Sequence, residues 1–301
     1  MPTSRIIDCP GIGDGKVYTT EFNSVYDVAR YISNQPVSKN TQGRMVSSDR
    51  SSDPEWSGTS SLAKALTLMI DGYSEPMKVI KEALDKADVE LDLLQSRMKL
   101  VRKYNVAGAV VSVPRHLALR PDSMIEIRRK TLRDRMVTIV YDVSAPWFTS
   151  HEDFLNAGIN VMKLCQWLDK LGYRTKINVT HVAKYDGKYV DNHRETDYYM
   201  SSVIKVKDFT EYLAPENLCF LSIHPSSLRR IEFALAERSE HLKAPDTGYG
   251  RAIGNSDSDS RRLREKLKET NEWFIELQQA AKWETTEMML KELAECGYLE
   301  N

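Results

Sequence analysis

Apolar residues along the first third of the chain recur at helical spacing. Phe22, Val25, Val28, Ala29 and Ile32 predict a short amphipathic helix over Phe22–Ser33. Residues 34–60 are polar and rich in Ser, Asp and Asn, and read as loop. A helix then follows in SLAKALTLMIDGY, with Thr59 or Ser60 as its cap and Gly72 as its stop. Met77, Ile80, Leu84, Ala87, Leu91, Leu94, Met98 and Val101 extend helical spacing from Ser74 to Lys103. Beyond Gly108, the run from Val110 to Pro114 predicts a short extended piece, and Pro114 and Pro121 mark turns.

The pattern changes at Arg135. RMVTIVYDVS is β-branched and nearly all apolar, as expected of a strand buried on both faces of a parallel sheet. The next segment carries helix signals at both ends, with Ser150 as cap, Glu152 and Asp153 in the first turn and Gly172 as stop. RTKINVTHVAKY alternates and predicts a second strand, completing a βαβ unit. YYMSSVIKV reads as a third strand, DFTEYLA as a helix and LCFLSI as a fourth strand. SSLRRIEFALAERSEHL then reads as a helix capped by Ser226 or Ser227. Residues 245–260 are Gly/Asp/Ser-rich and read as a linker, and 261–295 predict one or two amphipathic helices.

The expected fold class is α/β, with helices flanking the sheet, an additional N-terminal helical region and C-terminal helices. Four segments follow from these transitions. They are 1–54 with the short helix and loop, 55–134 helical with a basic stretch, 135–244 as the α/β unit, and 245–301 as linker and helices.

Composition narrows the function classes. Hydrophobic residues at 41% can fill a core. Lys and Arg number 42 against 43 Asp and Glu, so bulk charge gives no reason to expect nucleic acid or a membrane, and any such binding falls to a local patch. Cys9, Cys165, Cys219 and Cys296 have no metal-clip or redox spacing, which fits a reducing cytoplasm. The sequence offers no membrane span and no signal-peptide core, and no cofactor fingerprint: Walker A, Rossmann glycines, His-Glu-x-x-His and Gly-x-Ser-x-Gly are all missing. PGIGDGK lacks the ending of a phosphate loop and reads as a turn.

Two places carry candidate chemistry. The first is the end of the buried strand, where Asp142 and Ser144 precede Trp147 and Phe148, because ligands of open α/β sheets bind outside the carboxyl ends of strands. Asp-x-Ser-x-Ser at that position resembles the metal-ion-dependent adhesion site of von Willebrand factor A domains. Here Pro146 stands at the second hydroxyl, and LCFLSI leads to His224 rather than a further Asp. With Asp142, Ser144 and Thr180 as its oxygens the site is short of ligands for a hard cation, so the resemblance implies a metal-free von Willebrand factor A-like α/β domain over 135–244; the alternatives are a metal-dependent hydrolase or adhesion domain drawing in His224, and Asp142 simply capping the next loop. Trp147 and Phe148 offer an apolar edge to a partner or a base, or else a staple on the following helix. The second place is Arg97–Arg135, with eleven basic residues against three acids. Arg128, Arg129, Lys130, Arg133 and Arg135 form its densest part, a phosphate-binding candidate or a face paired within the fold.

WSGTSSLAKALTLMIDGY, GAVVSVPRHLALRPDSMIEIRR and the stretch from VTIVYDVS to LDKLGYRTKINV together resemble an uncharacterised family of bacteriophage proteins, over roughly residues 55–240. The resemblance lends no activity and no functional residue. It implies a place in an infected bacterial cytoplasm or a virion. The expectation is a non-enzymatic binding or assembly protein with a protein partner, or a second copy of itself. Nucleic-acid binding and metal-dependent hydrolysis are the alternatives.

Overall fold

The computed structural model describes residues 2–10, 13–38, 48–49, 54–86, 103–108, 110–126, 135–170, 172–185, 189–190, 193–194, 196–211, 215–241, 249–253, 263, 272–283, 288–289 and 291. It opens with strands β1 (Thr3–Asp8) and β2 (Lys16–Phe22), an antiparallel pair flanking the PGIGDGK turn; the sequence pattern predicts neither strand. Helix α1 (Val25–Asn34) follows, close to its predicted span. Ser24 caps it by accepting a hydrogen bond from the Asp27 amide at 3.2 Å, and Val25, Val28, Ala29 and Ile32 are buried. A four-residue helix, α2 (Pro54–Ser57), interrupts the predicted loop.

Helix α3 (Leu62–Asp71) ends at Gly72 as expected, but its cap is Ser61, whose hydroxyl accepts from the Lys64 amide, rather than Thr59 or Ser60. Residues 77–86 form α4; the rest of the long helix predicted there lies outside the described residues. A small sheet, in the order β3 (Lys103–Asn105), β5 (Met124–Glu126), β4 (Val110–Val111), carries the short helix α5 (Val113–Leu117) with Pro114 in its first turn.

The βαβ unit is present. Strand β6 (Arg135–Asp142), helix α6 (His151–Lys170) and strand β7 (Tyr173–Tyr185) follow in order, and β6 and β7 pair in parallel, Arg135 opposite Tyr173 through Asp142 opposite Thr180. Ser150 and Asp153 cap α6 reciprocally: the Asp153 amide donates to the Ser150 hydroxyl, and the Ser150 amide donates to the Asp153 carboxylate, both at 3.1 Å. An antiparallel pair of two-residue strands, β8 (Tyr189–Val190) and β9 (His193–Arg194), precedes β10 (Tyr198–Lys207), which runs antiparallel to β7 and parallel to β2.

Three expectations fail between β10 and the end of α8. Residues 208–211 form a turn, closed by the Glu211 amide on the Asp208 carbonyl, where a helix was expected; 212–214 lie outside the described residues. LCFLSI is not a strand but most of helix α7 (Pro215–Ile223). Leu218 to Ile223 are all buried, so that stretch of the helix has no exposed face, and periodicity cannot separate such a run from a buried strand. Neither Ser226 nor Ser227 caps α8. Ser226 is already helical and its hydroxyl donates to the Ser57 carbonyl at 2.6 Å, while the helix opens with a π-helical turn over Ser227–Glu232 before Phe233–Arg238.

The C-terminal region was expected to be helical, yet Trp273 and Phe274 lie on β12 (Glu272–Glu276), a parallel partner of β6, with only the short α9 (Leu277–Ala281) after it. The main sheet has the order β1-β2-β10-β7-β6-β12. Strand β11 (Arg251–Ala252) pairs with the end of β7. The fold is thus α/β, with a central mixed sheet flanked by helices. Its core joins α1, α3, α6, α7, α8 and α9 to one face of the sheet through Val137, Ile139, Tyr141, Ile177, Val179 and Ile204. Helices α6 and α7 approach so closely at Gly158 that a Cβ there would stand 2.3 Å from Ile223 Cγ1. No helix among the described residues is long and apolar enough to cross a membrane.

Candidate functional site

Strand β6 stops pairing with β7 at Asp142 opposite Thr180, and β11 resumes pairing with β7 at Ala183. Ser144 fills that gap. Its hydroxyl accepts from the Val182 amide at 2.8 Å and stands 2.9 Å from the Val182 carbonyl, so one side chain serves the β7 backbone where neither strand reaches. Asp142 holds Ser144 in turn, its Oδ1 accepting from the Ser144 amide at 3.0 Å and lying 2.5 Å from its hydroxyl. Both residues are buried. The pair predicted to make a sheet-edge site is therefore brought together, in a turn of the kind Asp makes when its carboxylate bonds a backbone amide two residues on.

His224 lies elsewhere, beyond the end of α7. Its ring stacks on Phe220, meets Tyr73 edge-on with centroids 4.7 Å apart, and accepts the Ser226 amide on Nδ1. Burial pulls its pKa down to about 4, with His151 and Lys64 adding to the effect, so the ring is neutral. It makes no described contact with Asp142.

Trp147 and Phe148 follow Ser144 on the next loop and project outward, 76% and 71% exposed, with their rings edge to face at 6.0 Å. The backbone beneath them is fixed. Buried Arg229 of α8 donates to the carbonyls of Thr149 at 2.8 Å, Trp147 at 3.3 Å and Trp56 at 2.5 Å, and its guanidinium lies over the Trp56 ring at 4.6 Å. The Trp56 indole donates to the Trp147 carbonyl at 3.0 Å. Arg128, Arg129, Lys130 and Arg133 of the predicted basic patch lie outside the described residues, and Arg135 begins β6.

Sequence reasoning missed a buried polar cluster on α8. Glu232 is 2% exposed; it accepts a short hydrogen bond from Ser202 of β10 and lies 3.9 Å from His181 Nδ1 of β7. Ser202 stands opposite both His181 and Thr20, so strand register gathers these groups on one face of the sheet. Oε1 of Glu232 has no hydrogen-bond partner among the described residues. Burial, outweighing the Ser202 bond and helped by Asp142, pushes Glu232 up to about 8, and burial pulls His181 down to about 4, so the two meet as neutral acid and neutral base near pH 7. The adjoining cavity, lined by Thr20, Tyr31, His181, Ser202 and Glu232, measures about 30 Å³ and is on the scale of a water molecule. Chemically the cluster can hold and exchange a proton.

Neighbouring Arg230 is buried too. It donates to the Ser48 and Thr59 carbonyls and to the Ser57 hydroxyl, while Glu237 accepts from the Ser48 amide and from the hydroxyls of Ser48 and Tyr249. Cys165 and Cys219 are buried free thiols, whose pKa values burial pushes up.

No curated protein and no solved structure matches this chain. One family model does, across residues 3–294, under the description "Domain of unknown function (DUF7192)". Because that match takes in both the strand-end turn and the α8 cluster, the chain belongs, over nearly its whole length, to this uncharacterised family.

Proposed function

We propose that this chain is a non-enzymatic binding or assembly protein that acts through protein–protein contacts, with Trp147 and Phe148 as the anchor of its docking surface. The observation that carries the reading is the fixed backbone under two exposed aromatic rings: Arg229 and the Trp56 indole hold the carbonyls on both sides of Phe148. A loop held this way loses little conformational freedom on binding, and Trp is enriched among residues that dominate interface energies. Covering both rings removes roughly 300 Å² from water, a gross gain of about 7 kcal/mol before association costs.

The proposal includes two finer points. A von Willebrand factor A-like ancestry is supported by the order β6-α6-β7 and by Asp142-x-Ser144 at the end of a buried strand. A phage origin, with action in an infected host or a virion, rests on the sequence resemblance over residues 55–240.

The test is a photo-crosslinking residue at position 148 in the intact chain, expressed in its native host. A discrete adduct with one protein, lost when Trp147→Ser is added, is the expected result. If irradiation gives no adduct, or if the adduct is indifferent to Trp147→Ser, the proposal fails.

A further inference from the structure

The face of the main sheet turned away from the helices carries a second feature. Strand alternation sends Ile177 and Val179 of β7 into the core and leaves Lys176, Asn178 and Thr180 on the other side. Register places Asn178 between Val140 of β6 and Lys205 of β10. A cleft of about 150 Å³ opens over these residues, with Arg5 and Glu21 at one end and Phe274 of β12 at the other.

Two side chains in the cleft are underused. Asn178 is 7% exposed, and its carboxamide makes no hydrogen bond among the described residues. Its amide and carbonyl open to the cleft rather than being sealed in the core, so they are available to a ligand. Lys176 also rims the cleft. Arg5 bridges Glu21 at 2.7 Å and Lys205 bridges Asp208 at 3.1 Å, whereas Lys176 makes neither an ion pair nor a hydrogen bond among the described residues and acts on Asp208 only at longer range.

The hydroxyls at the floor complete the set. Thr180 donates to the Ser202 carbonyl at 2.7 Å, so the 3.3 Å contact between Thr180 and Ser201 has Ser201 as donor, and the Ser201 oxygen keeps its lone pairs for a second bond. The cleft therefore presents an ammonium and an amide donor side by side, an acceptor below them, and an apolar wall of Val140 and Phe274.

We propose that this cleft is a binding site for a small molecule bearing an anionic oxygen group, phosphate or carboxylate, seated between Lys176 and Asn178, with an apolar or aromatic portion against Val140 and Phe274. The proposal is independent of the Trp147 docking surface. Lys176 supplies charge and Asn178 supplies direction, a pairing that favours an anion over a neutral amide or sugar. The ligand would replace solvent at the carboxamide, so bound and free protein differ most at that side chain.

The test uses the intact, ¹⁵N-labelled chain and three probes: inorganic phosphate, phenyl phosphate and benzoate, each titrated against a chloride control of equal ionic strength. A saturable shift of the Asn178 side-chain amide by phenyl phosphate or benzoate, at lower concentration than by inorganic phosphate, is expected. The stronger of the two aromatic probes identifies the anion as phosphate or carboxylate. Lys176→Met, at a partly exposed position, should weaken binding roughly tenfold, the scale of one charge-assisted bond. The inference is overturned if none of the probes moves Asn178 at millimolar concentration, or if Lys176→Met binds as well as the parent. Asn178→Leu adds an independent check: a ligand-directed amide can be replaced without lowering the melting temperature, and a fall in that temperature would show that Asn178 serves the fold.

Discussion

Replacing Glu232 by Gln should flatten the pH dependence of stability above pH 6.5. The carboxyl is held up at about 8 by burial, against an ordinary value of 4.5. As pH rises from 4.5 the unfolded chain releases this proton while the folded protein keeps it, so folding loses stability until about pH 8, where the native carboxyl also ionises. The full span corresponds to about 5 kcal/mol, at about 1.4 kcal/mol per pH unit.

His181 and His224 act in the opposite direction. Both are held neutral in the fold, near 4 against 6.5, so each adds stability as pH rises from about 4 to 6.5 and nothing further above it. Two rising contributions against one falling one put the maximum close to pH 6.5. From there to pH 8 Glu232 acts without them, and the wild-type chain should lose about 2 kcal/mol. Glu232→Gln keeps the side-chain volume and an acceptor for Ser202 but cannot ionise, so its stability should hold over that interval. Urea unfolding followed by far-ultraviolet circular dichroism at pH 5, 6.5 and 8 gives both curves. A wild-type chain as stable at pH 8 as at 6.5, or a Gln variant that declines in parallel with it, would refute the assignment of a proton to buried Glu232.

Ser144→Ala should cost about 1–3 kcal/mol in chemical denaturation, because the Val182 amide loses its acceptor in the gap between β6 and β11 and the single hydroxyl proton shared by Asp142 and the Val182 carbonyl is lost; a neutral result would mean that the hydroxyl does not bridge the gap. Gly158→Ala should destabilise by about 1–3 kcal/mol, since the added methyl meets Ile223 and α6 and α7 must separate; an unchanged melting temperature would contradict their close approach. Cys165 and Cys219 should resist iodoacetamide in the native chain at pH 8 and react on unfolding in urea, with mass spectrometry identifying the modified thiols. Prompt native labelling of either would place it nearer solvent than its packing allows.

What the sequence disclosed depended on whether an element's signals were local. The β6-α6-β7 unit was legible because its strand is a run of β-branched residues and its helix carries Ser150 at one end and Gly172 at the other. Helix α7 was misread because burial on every side from Leu218 to Ile223 removes the exposed face that reveals a helix. Strand β12 was hidden differently: Trp273, Phe274 and Leu277 fall on helical spacing with Leu263 and Leu267, although Glu272–Glu276 pairs with β6, more than a hundred residues earlier. Strands β1 and β2 were lost among Gly and Pro turn signals. At the site, Asp142 and Ser144 were found because they are two residues apart. Glu232 was not, since Ser202 and His181 come from distant strands, and its own segment, RRIE, resembles a solvated helical face.

Neighbours on two sides of the π-helical turn explain why that resemblance misleads. At 3.6 residues per turn a helix cannot bury six consecutive residues against one neighbour, yet every residue from Ser227 to Glu232 is buried. The burial comes from both sides. Ser202 and His181 of the sheet receive Glu232, while the carbonyls of Ser48, Trp56, Ser57, Thr59, Trp147 and Thr149 surround Ser226, Arg229 and Arg230. Irregular segments that show no helical or strand period are thus tied to the sheet through two guanidinium groups, each a rigid fork able to serve several carbonyls at once. Hydrophobic burial alone does not fix the path of such loops, because it has no direction. A guanidinium does, and breaking one of these contacts leaves a buried charge with fewer partners. The outward pose of Trp147 and Phe148 follows from the same arrangement: with the carbonyls of residues 147 and 149 both held by Arg229, the chain between them cannot turn its rings inward without giving up those bonds.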